Sequence, residues 1–387
     1  MPQSEPQRES GAFLDGYRTE AGILREHGTK KSKKLSKEAM MLRMKKDAAN
    51  IRRYRKISDD VLTMKENNVY TENALKLTTQ LLDWNPEFYS VWNYRRDILT
   101  NYMFVGLDVE KKHKLLVGEL MFVLSKLKSF PKCYWIWNHR KWCLMNDERA
   151  NWSAEMQLVA QFFEVDPRNF HVWQYRRFIV QCMKDGMVSE QGKDLLDFEE
   201  FAFTTKMINK DISNFSAWHN RSDLVVKLFA NSPEASEEKE DSLRKYLEVF
   251  NRKSKKDFLE LELNLFQNAI YTDPDDSSVW IYIRWLFGDY FLSDLSFKES
   301  VDIINRTYQV ISELAQLEKE DNHGRDNQWC LKTQVYLLKQ LYKVYKAEGT
   351  NDYPEDDARQ FLEKRNRLIE LDPMRARRYT DFSLTSK

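Results

Sequence analysis

The stretch Phe130 to Leu144, FPKCYWIWNHRKWCL, is one copy of a phrase written several times along the chain. NPEFYSVWNYRRDIL begins at Asn85, DPRNFHVWQYRRFIV at Asp166 and DPDDSSVWIYIRWLF at Asp273, and in all four copies Trp follows Pro by six positions. NFSAWHNRSDLV, from Asn214, keeps the Trp and the Arg without the Pro, and Asp372-Pro373 begins a degenerate last copy with Tyr379 in the Trp position. The Trp residues at 92, 137, 173, 218 and 280 are 45, 36, 45 and 62 apart, so the units are related but unevenly spaced. The longest interval holds an acidic, Ser-rich insert, Ser232 to Ser242, expected to be a surface loop.

Local chemistry assigns the phrase a structure. Asn or Asp is a strong N-cap, and Pro loses nothing at the first helical position because its missing N–H would be unpaired there, so each copy is expected to open a helix at its Pro. Phe88, Trp92 and Leu99 recur at near-helical intervals, with Arg95 one turn after Trp92. A second amphipathic stretch precedes each copy: Ala74, Leu77 and Leu81 before the first, Leu259, Leu263, Phe266 and Ile270 before the copy at Asp273. Each unit is therefore a helical hairpin. Two amphipathic helices cannot bury their apolar faces alone, so consecutive units must stack, and the expected fold is all-α, a crescent-shaped α-α superhelix, or solenoid, of hairpins. Helical spacing resumes from Val301 to Leu314 and from Trp329 to Tyr345, and helices are expected to about residue 371. The organisation reads as a polar and basic, partly helical segment over 1–56, a helical repeat domain over 57–382 and a tail over 383–387.

Composition agrees. Eleven Gly and 9 Pro in 387 residues leave few turn-forming residues for a β-rich fold, while 42% hydrophobic residues and 11 Trp suffice for a sizeable core. Sixty-one Lys and Arg balance 60 Asp and Glu, which excludes steering by total charge. The one strong local patch runs from Lys30 to Lys56, with twelve basic residues against Glu38 and Asp47. It is a tether for nucleic acid or an acidic partner or, the favoured reading, a solvated amphipathic helix carrying Ala39, Met40, Leu42 and Ala48. No nucleic-acid partner is expected. The four Cys, at 133, 143, 182 and 330, have neither disulfide-scaffold nor zinc-site spacing. With no apolar leader, no run long enough to span a bilayer and no terminal Cys to prenylate, the expected location is cytoplasmic.

No phosphate loop, dinucleotide turn, HExxH or nucleophile elbow is present, which argues against a self-contained enzyme. The repeated Trp residues read as core. Arg95, Arg140, Arg176 and Arg221, each three residues after its Trp, either lock neighbouring hairpins through carboxylates and aromatic faces or form an anion site, and recurrence favours architecture. What does not recur is more informative. Lys132 follows the Pro of its copy where the others carry Glu87, Arg168 and Asp275. A cation against the positive end of a helix dipole is unfavourable unless an anion joins it. Lys132, Tyr134, Arg168, Asn169 and His171 occupy equivalent starts of adjacent units, either converging on one diphosphate or, for the lysine, lying ordinarily on the surface.

The ordered copies resemble the helical hairpins of protein prenyltransferase α-subunits, from about residue 60 to 382. DNQWCLKT from Asp326, LDPMRARRY from Leu371 and YTDPDDSSVW from Tyr271 are most similar to the geranylgeranyltransferase type II, or Rab geranylgeranyltransferase, α-subunit, in a short form without sandwich or leucine-rich repeat domains. That resemblance implies a heterodimer whose separate β-subunit holds the zinc and the isoprenoid pocket, so that this chain binds no metal or cofactor of its own. It implies transfer of geranylgeranyl from geranylgeranyl diphosphate to carboxyl-terminal cysteines of Rab GTPases presented by a Rab escort protein.

Residue by residue, Lys132 matches the α-subunit lysine placed against the isoprenoid diphosphate and Tyr134 the aromatic beside it. Asn169 and His171 match diphosphate-side positions of the next repeat, where Phe170 replaces a Tyr of farnesyl enzymes. Trp135 stands where farnesyltransferases carry a Gln that holds the peptide carboxylate, which suits an enzyme that reads no fixed C-terminal box. His27 matches a histidine able to reach the β-subunit zinc and autoinhibit, although 26 residues precede it here. The alternatives are the α-subunit shared by farnesyltransferase and geranylgeranyltransferase type I, and a non-catalytic tetratricopeptide-like adaptor.

Overall fold

The computed structural model describes residues 36–231, 241–350 and 352–384. His27 and nearly all of the Ser232 to Ser242 insert lie outside them. Every regular element among the described residues is helical. They fall into two compact units, residues 1–183 and 184–387.

In the first unit, α1 (Lys37–Glu66) packs on a hairpin of α2 (Glu72–Trp84) and α3 (Tyr89–Ile98), followed by α4 (Val109–Ser129) with α5 (Tyr134–Met145) and α6 (Trp152–Val165) with α7 (Phe170–Asp185). In the second, α8 (Glu190–Lys210) pairs with α9 (Phe215–Ala230), and α10 (Asp241–Arg252) leads to α11 (Lys255–Thr272) and α12 (Ser277–Leu286). A single turn, α13 (Asp289–Leu292), precedes α14 (Phe297–Asp321) and α15 (Gln328–Ala347), and α16 (Glu355–Leu371) and α17 (Ala376–Thr380) complete the unit. The helices expected from Val301 and from Trp329 are therefore α14 and α15. Side chains of Thr71, Asp108, Asn151, Ser189, Ser254 and Ser296 cap the first helix of their hairpins, which supplies the acceptors that free N-terminal N–H groups need.

Pro373 opens a single 3-10 turn, Pro373–Arg375, but in the other four copies the Pro does not open a helix. Asn85, Phe130, Asp166 and Asp273 cap the C-terminus of the first helix of each hairpin, and the second helix starts three or more residues after the Pro. The phrase is the hairpin turn itself. The N–H of Phe88 donates to Asn85 O at 3.3 Å, that of Cys133 to Phe130 O at 3.2 Å and that of Asn169 to Asp166 O at 3.2 Å. Pro occupies the second turn position, where its fixed φ is already correct. The Asn85 and Asp166 side chains also accept from the N–H two residues on, at 3.1 and 3.2 Å.

The six-residue spacing has one cause. Each Trp indole N–H reaches back to the carbonyl six positions earlier: Trp92 to Pro86 at 2.8 Å, Trp137 to Pro131 at 2.8 Å, Trp173 to Pro167 at 2.9 Å and Trp280 to Pro274 at 2.9 Å. Trp218 does the same with Ile212 at 2.8 Å, so the bond survives where the Pro is lost. All five rings are buried, and each bond satisfies an indole donor that burial would otherwise strand. In the degenerate last copy, Tyr379 is buried and donates instead to Asp372 at 2.9 Å.

Buried arginines clamp hairpin to hairpin. Arg95 on α3 donates to both oxygens of Glu119 on α4 at 2.7 Å, and its remaining nitrogen to Thr78 and Thr79 at 2.8 Å. Arg140 on α5 grips Glu155 on α6, and Arg221 on α9 grips Glu262 on α11 in the same two-pronged way. The same carboxylate accepts from the second helix of its own hairpin: Tyr175 bonds Glu155 and Tyr282 bonds Glu262 at 2.6 Å, and His139 lies 3.1 Å from Glu119. One Glu thus ties three helices, and the architectural reading holds for Arg95, Arg140 and Arg221.

The described part of the basic segment, from Ser36 on, enters α1, a helix continuous across residue 56. Met40 and Leu42 are exposed along with every neighbour up to Arg53, and burial begins at Ile57 and Val61.

Candidate functional site

The turns that open α5 and α7 lie side by side in the first unit and bring together most of the residues singled out at equivalent repeat positions. Lys132 occupies the first turn, one third exposed, with its Nζ 3.7 Å from Asp166 Oδ2 on the second. Tyr134, the first residue of α5, is exposed, and its ring meets the His171 ring edge-on at 4.3 Å. Phe170 packs beside both rings, 5.8 Å from Tyr134 and 4.0 Å from His171.

Asn169 is the buried brace of the pair of turns. Its Oδ1 accepts from the His171 N–H at 3.0 Å, and its Nδ2 donates to Pro131 O at 3.4 Å, so it joins the start of α7 to the turn carrying Lys132. His171 is buried as well, and its ring hydrogen-bonds the Lys132 backbone while Nδ1 has no partner. Burial, opposed by that hydrogen bond and reinforced by the Lys132 charge, pulls its pKa below the ordinary histidine value, so the imidazole is neutral at pH 7. Arg168 lies exposed on the same turn, its backbone N–H on Asp166.

Next to these turns, a cleft of about 260 Å³ opens between α5 and α7, lined by Tyr134, Trp135, Asn138, Lys141, His171 and Gln174. Lys141 and Gln174 were not singled out in the sequence. The available signal for Lys141 was its position four residues after Trp137, matched by Arg96 after Trp92 and Arg177 after Trp173. Its Nζ lies 5.0 Å from the Phe178 ring, and burial, with the Arg177 charge, lowers its pKa. The partly exposed Lys132 ammonium beside aromatic edges is suited to an anion with an apolar tail, whereas the unused Nδ1 of the neutral His171, whose one N–H goes to the Lys132 backbone, can only accept a hydrogen bond.

Cysteine nucleophilicity is not available here. Cys133, between Lys132 and Tyr134, is buried against Pro86 O at 3.4 Å, and burial pushes its thiol up to about 12. Among the described residues no group of three His, Cys, Asp or Glu side chains is placed to hold a metal, and no helix is long and apolar enough to cross a membrane.

Comparison with known proteins agrees with this repeat architecture. The protein prenyltransferase alpha subunit repeat matches residues 71–102, 116–147, 152–183, 197–228 and 259–290. The geranylgeranyl transferase type-2 subunit alpha of Candida albicans is 35% identical over 92% of this chain and 97% of its own length. Its counterpart in Schizosaccharomyces pombe is 38% identical over 89% of this chain and 94% of its own. The human counterpart is 36% identical over 68% of this chain, a match that spans 42% of the human protein. Among solved structures, Candida albicans protein geranylgeranyltransferase-I complexed with GGPP has a TM-score of 0.51 at 20% identity, covering 92% of this chain and 93% of that one, a likeness that shows the shared fold.

The chain belongs to the protein prenyltransferase α-subunit family. Within it, the relatives named here are geranylgeranyl transferase type-2 α-subunits, which favours that reading over the α-subunit shared with farnesyltransferase and over the adaptor.

Proposed function

We propose that this chain is the α-subunit of a heterodimeric Rab geranylgeranyl transferase, active in the cytoplasm only with a β-subunit, and that its own chemical contribution is Lys132. The reading is carried by identity to type-2 α-subunits that runs nearly end to end in both chains. The β-subunit holds the zinc, which supplies a thiolate from the Rab cysteine by lowering its pKa. The Rab GTPase arrives with an escort protein, and geranylgeranyl diphosphate is the donor.

As the C–O bond of the donor breaks, negative charge grows on the departing diphosphate. A preorganised ammonium aimed at that charge stabilises the transition state more than the ground state. Lys132 is held by a short turn that the Trp137 indole bond closes and Asn169 braces. Its Nζ lies 3.7 Å from Asp166 at a partly exposed position, where an ion pair contributes little. Tyr134 and His171 form the adjoining wall, with Asn169 fixing the His171 backbone and Arg168 adding exposed positive charge.

Co-purification with candidate β-subunits, followed by transfer of labelled geranylgeranyl diphosphate to a Rab protein with and without escort protein, tests this. Lys132→Ala should lower kcat by about 10²- to 10³-fold while the heterodimer still forms. Equal rates in the variant and the parent would remove Lys132 from the mechanism. Transfer to a short CaaX peptide without escort protein would replace the type II reading with the shared α-subunit.

A further inference from the structure

Two adjoining clefts in the second unit, away from the Lys132 turn in sequence, carry a concentration of positive charge that the prenyl-transfer reading does not use. One, of about 480 Å³, is lined by Arg284, Lys332, Arg375 and Arg378 between the Trp329 and Phe382 rings. The other, of about 340 Å³, shares Arg284, Lys332 and Arg378 and adds Lys339 and Lys343. No Asp or Glu lines either cleft. The nearest carboxylates serve the rim: Asp372 accepts from Arg375 and from Tyr379 at 2.9 Å, and Asp289 lies 3.9 Å from Lys343.

The hairpin of Trp280 breaks the clamp rule of the others, while Arg284 keeps the basic position four residues after the Trp that Arg96, Lys141 and Arg177 also hold. Three residues after Trp280, where Arg95, Arg140 and Arg221 each find a Glu, stands the buried Ile283. Arg284, one position later, faces the cleft with its guanidinium 5.8 Å from the Tyr336 ring and its Nε buried without a hydrogen-bond partner. Lys332 likewise rests over an aromatic face, 4.9 Å from the Trp329 ring. Burial and then the Arg378 charge lower the proton affinity of Arg284. Burial also lowers that of Lys332, with Arg375, Arg284 and Arg378 acting against the pull of Asp372. Cations packed this way repel one another and keep a buried donor unused, a cost that a bound anion relieves.

We propose that the paired cleft binds a small polyanion with clustered phosphate groups, gripped by Arg284, Lys332 and Arg378. The volume suits a compact molecule rather than a folded chain. Guanidinium forks bind phosphate oxygens in pairs, and several cations without an intervening acid match the charge density of adjacent phosphates. A soluble polyphosphate and a phosphorylated lipid headgroup share that chemistry.

Calorimetric titration of the full chain with inorganic tripolyphosphate and with inositol hexakisphosphate, alongside flotation with phosphatidylcholine vesicles containing phosphatidylinositol 4,5-bisphosphate, tests the site and separates the two sources. Saturable binding of a soluble probe, weakened about ten-fold or more by Arg284→Gln and by Arg378→Gln, supports a free polyphosphate. Vesicle binding that both substitutions abolish, without soluble-probe binding, supports a lipid headgroup. Arg378 is exposed, so its variant tests the site even if Arg284→Gln folds poorly. Lys45→Gln with Lys46→Gln, on the exposed part of α1, should change neither signal. Absence of saturable binding to every probe, binding unchanged in both cleft variants, or an equal loss in the α1 variant would overturn the proposal.

Discussion

Glu262→Gln tests the hairpin clamp where it is buried most deeply. Neither Arg221 nor Glu262 has any exposed side-chain surface, and the guanidinium lies 3.9 Å from the Phe201 ring. Burial works against the Arg221 charge, and the Glu262 carboxylate outweighs it, holding the guanidinium above its ordinary pKa. An amide keeps the shape but removes the compensating charge and turns its NH₂ on a donor whichever way it faces, Arg221 Nη2 on one side or Arg221 Nε and the Tyr282 hydroxyl on the other. Stranding a buried cation in this way costs about 3–5 kcal/mol. In a unit of this size each kcal/mol is worth about 2–4 °C, so thermal unfolding followed by circular dichroism should show a drop of roughly 6–20 °C. The companion Arg221→Leu with Glu262→Leu removes both charges and should melt above the single variant, because no lone ion remains. A single variant within about 2 °C of the parent, or a double variant that melts below it, would refute the clamp as described.

The other expectations concern the first unit and the thiols. His139 is buried, lies 3.1 Å from Glu119 and accepts from Arg96 Nε at 3.3 Å, and burial, only partly opposed by Glu119, brings its pKa down to about 4. An unfolded histidine protonates near 6.5, so stability is full above that pH and declines as pH falls towards 4. Melting at pH 7.5 and pH 5 should show the decline, and His139→Gln should flatten it. Trp137→Phe removes the 2.8 Å bond to Pro131 O and should cost about 1–2 kcal/mol, read as a lower denaturant midpoint at constant slope. Burial also pushes Cys133 and Cys330 up to about 12, so both should resist Ellman's reagent at pH 8 until the chain unfolds, and fast native labelling of either would contradict that burial.

The repeated phrase made the hairpins legible because Trp92, Trp137, Trp173, Trp218 and Trp280 share a job that needs both burial and a fixed hydrogen-bond acceptor. Arg95, Arg140 and Arg221 were legible as locks for the same reason. Their partners were not. Glu119, Glu155 and Glu262 each stand 18 residues before the Trp of their hairpin, yet a glutamate on a helix otherwise reads as solvated, and only that constant offset distinguishes them. The Pro misled because the N1 preference and the second-turn-position preference draw on the same fixed φ, and only the hydrogen bonds of the turn separate them. Repeat position made Lys132 equivalent to Arg168 and Tyr134 to Phe170, but it carried no distance. The edge contact of Tyr134 with His171 depends on how the two hairpins are stacked. Arg284 and Arg378 belong to different copies and stand at different offsets from Trp280 and Tyr379, so no spacing joined them.

The clamp also has a consequence for synthesis. Arg95, Arg140 and Arg221 present the same two-pronged grip, and Glu119, Glu155 and Glu262 offer the same carboxylate to receive it. The lock fastens without sorting. A nascent hairpin whose proper neighbour is delayed can engage the next carboxylate to emerge, or that of a second chain, with nearly the native hydrogen bonds, the usual failure of repeat proteins. Correct order is therefore enforced by covalent succession and by the differing apolar faces, and slowed emergence of α4 should be more damaging than slowed emergence of α1, which carries no clamp.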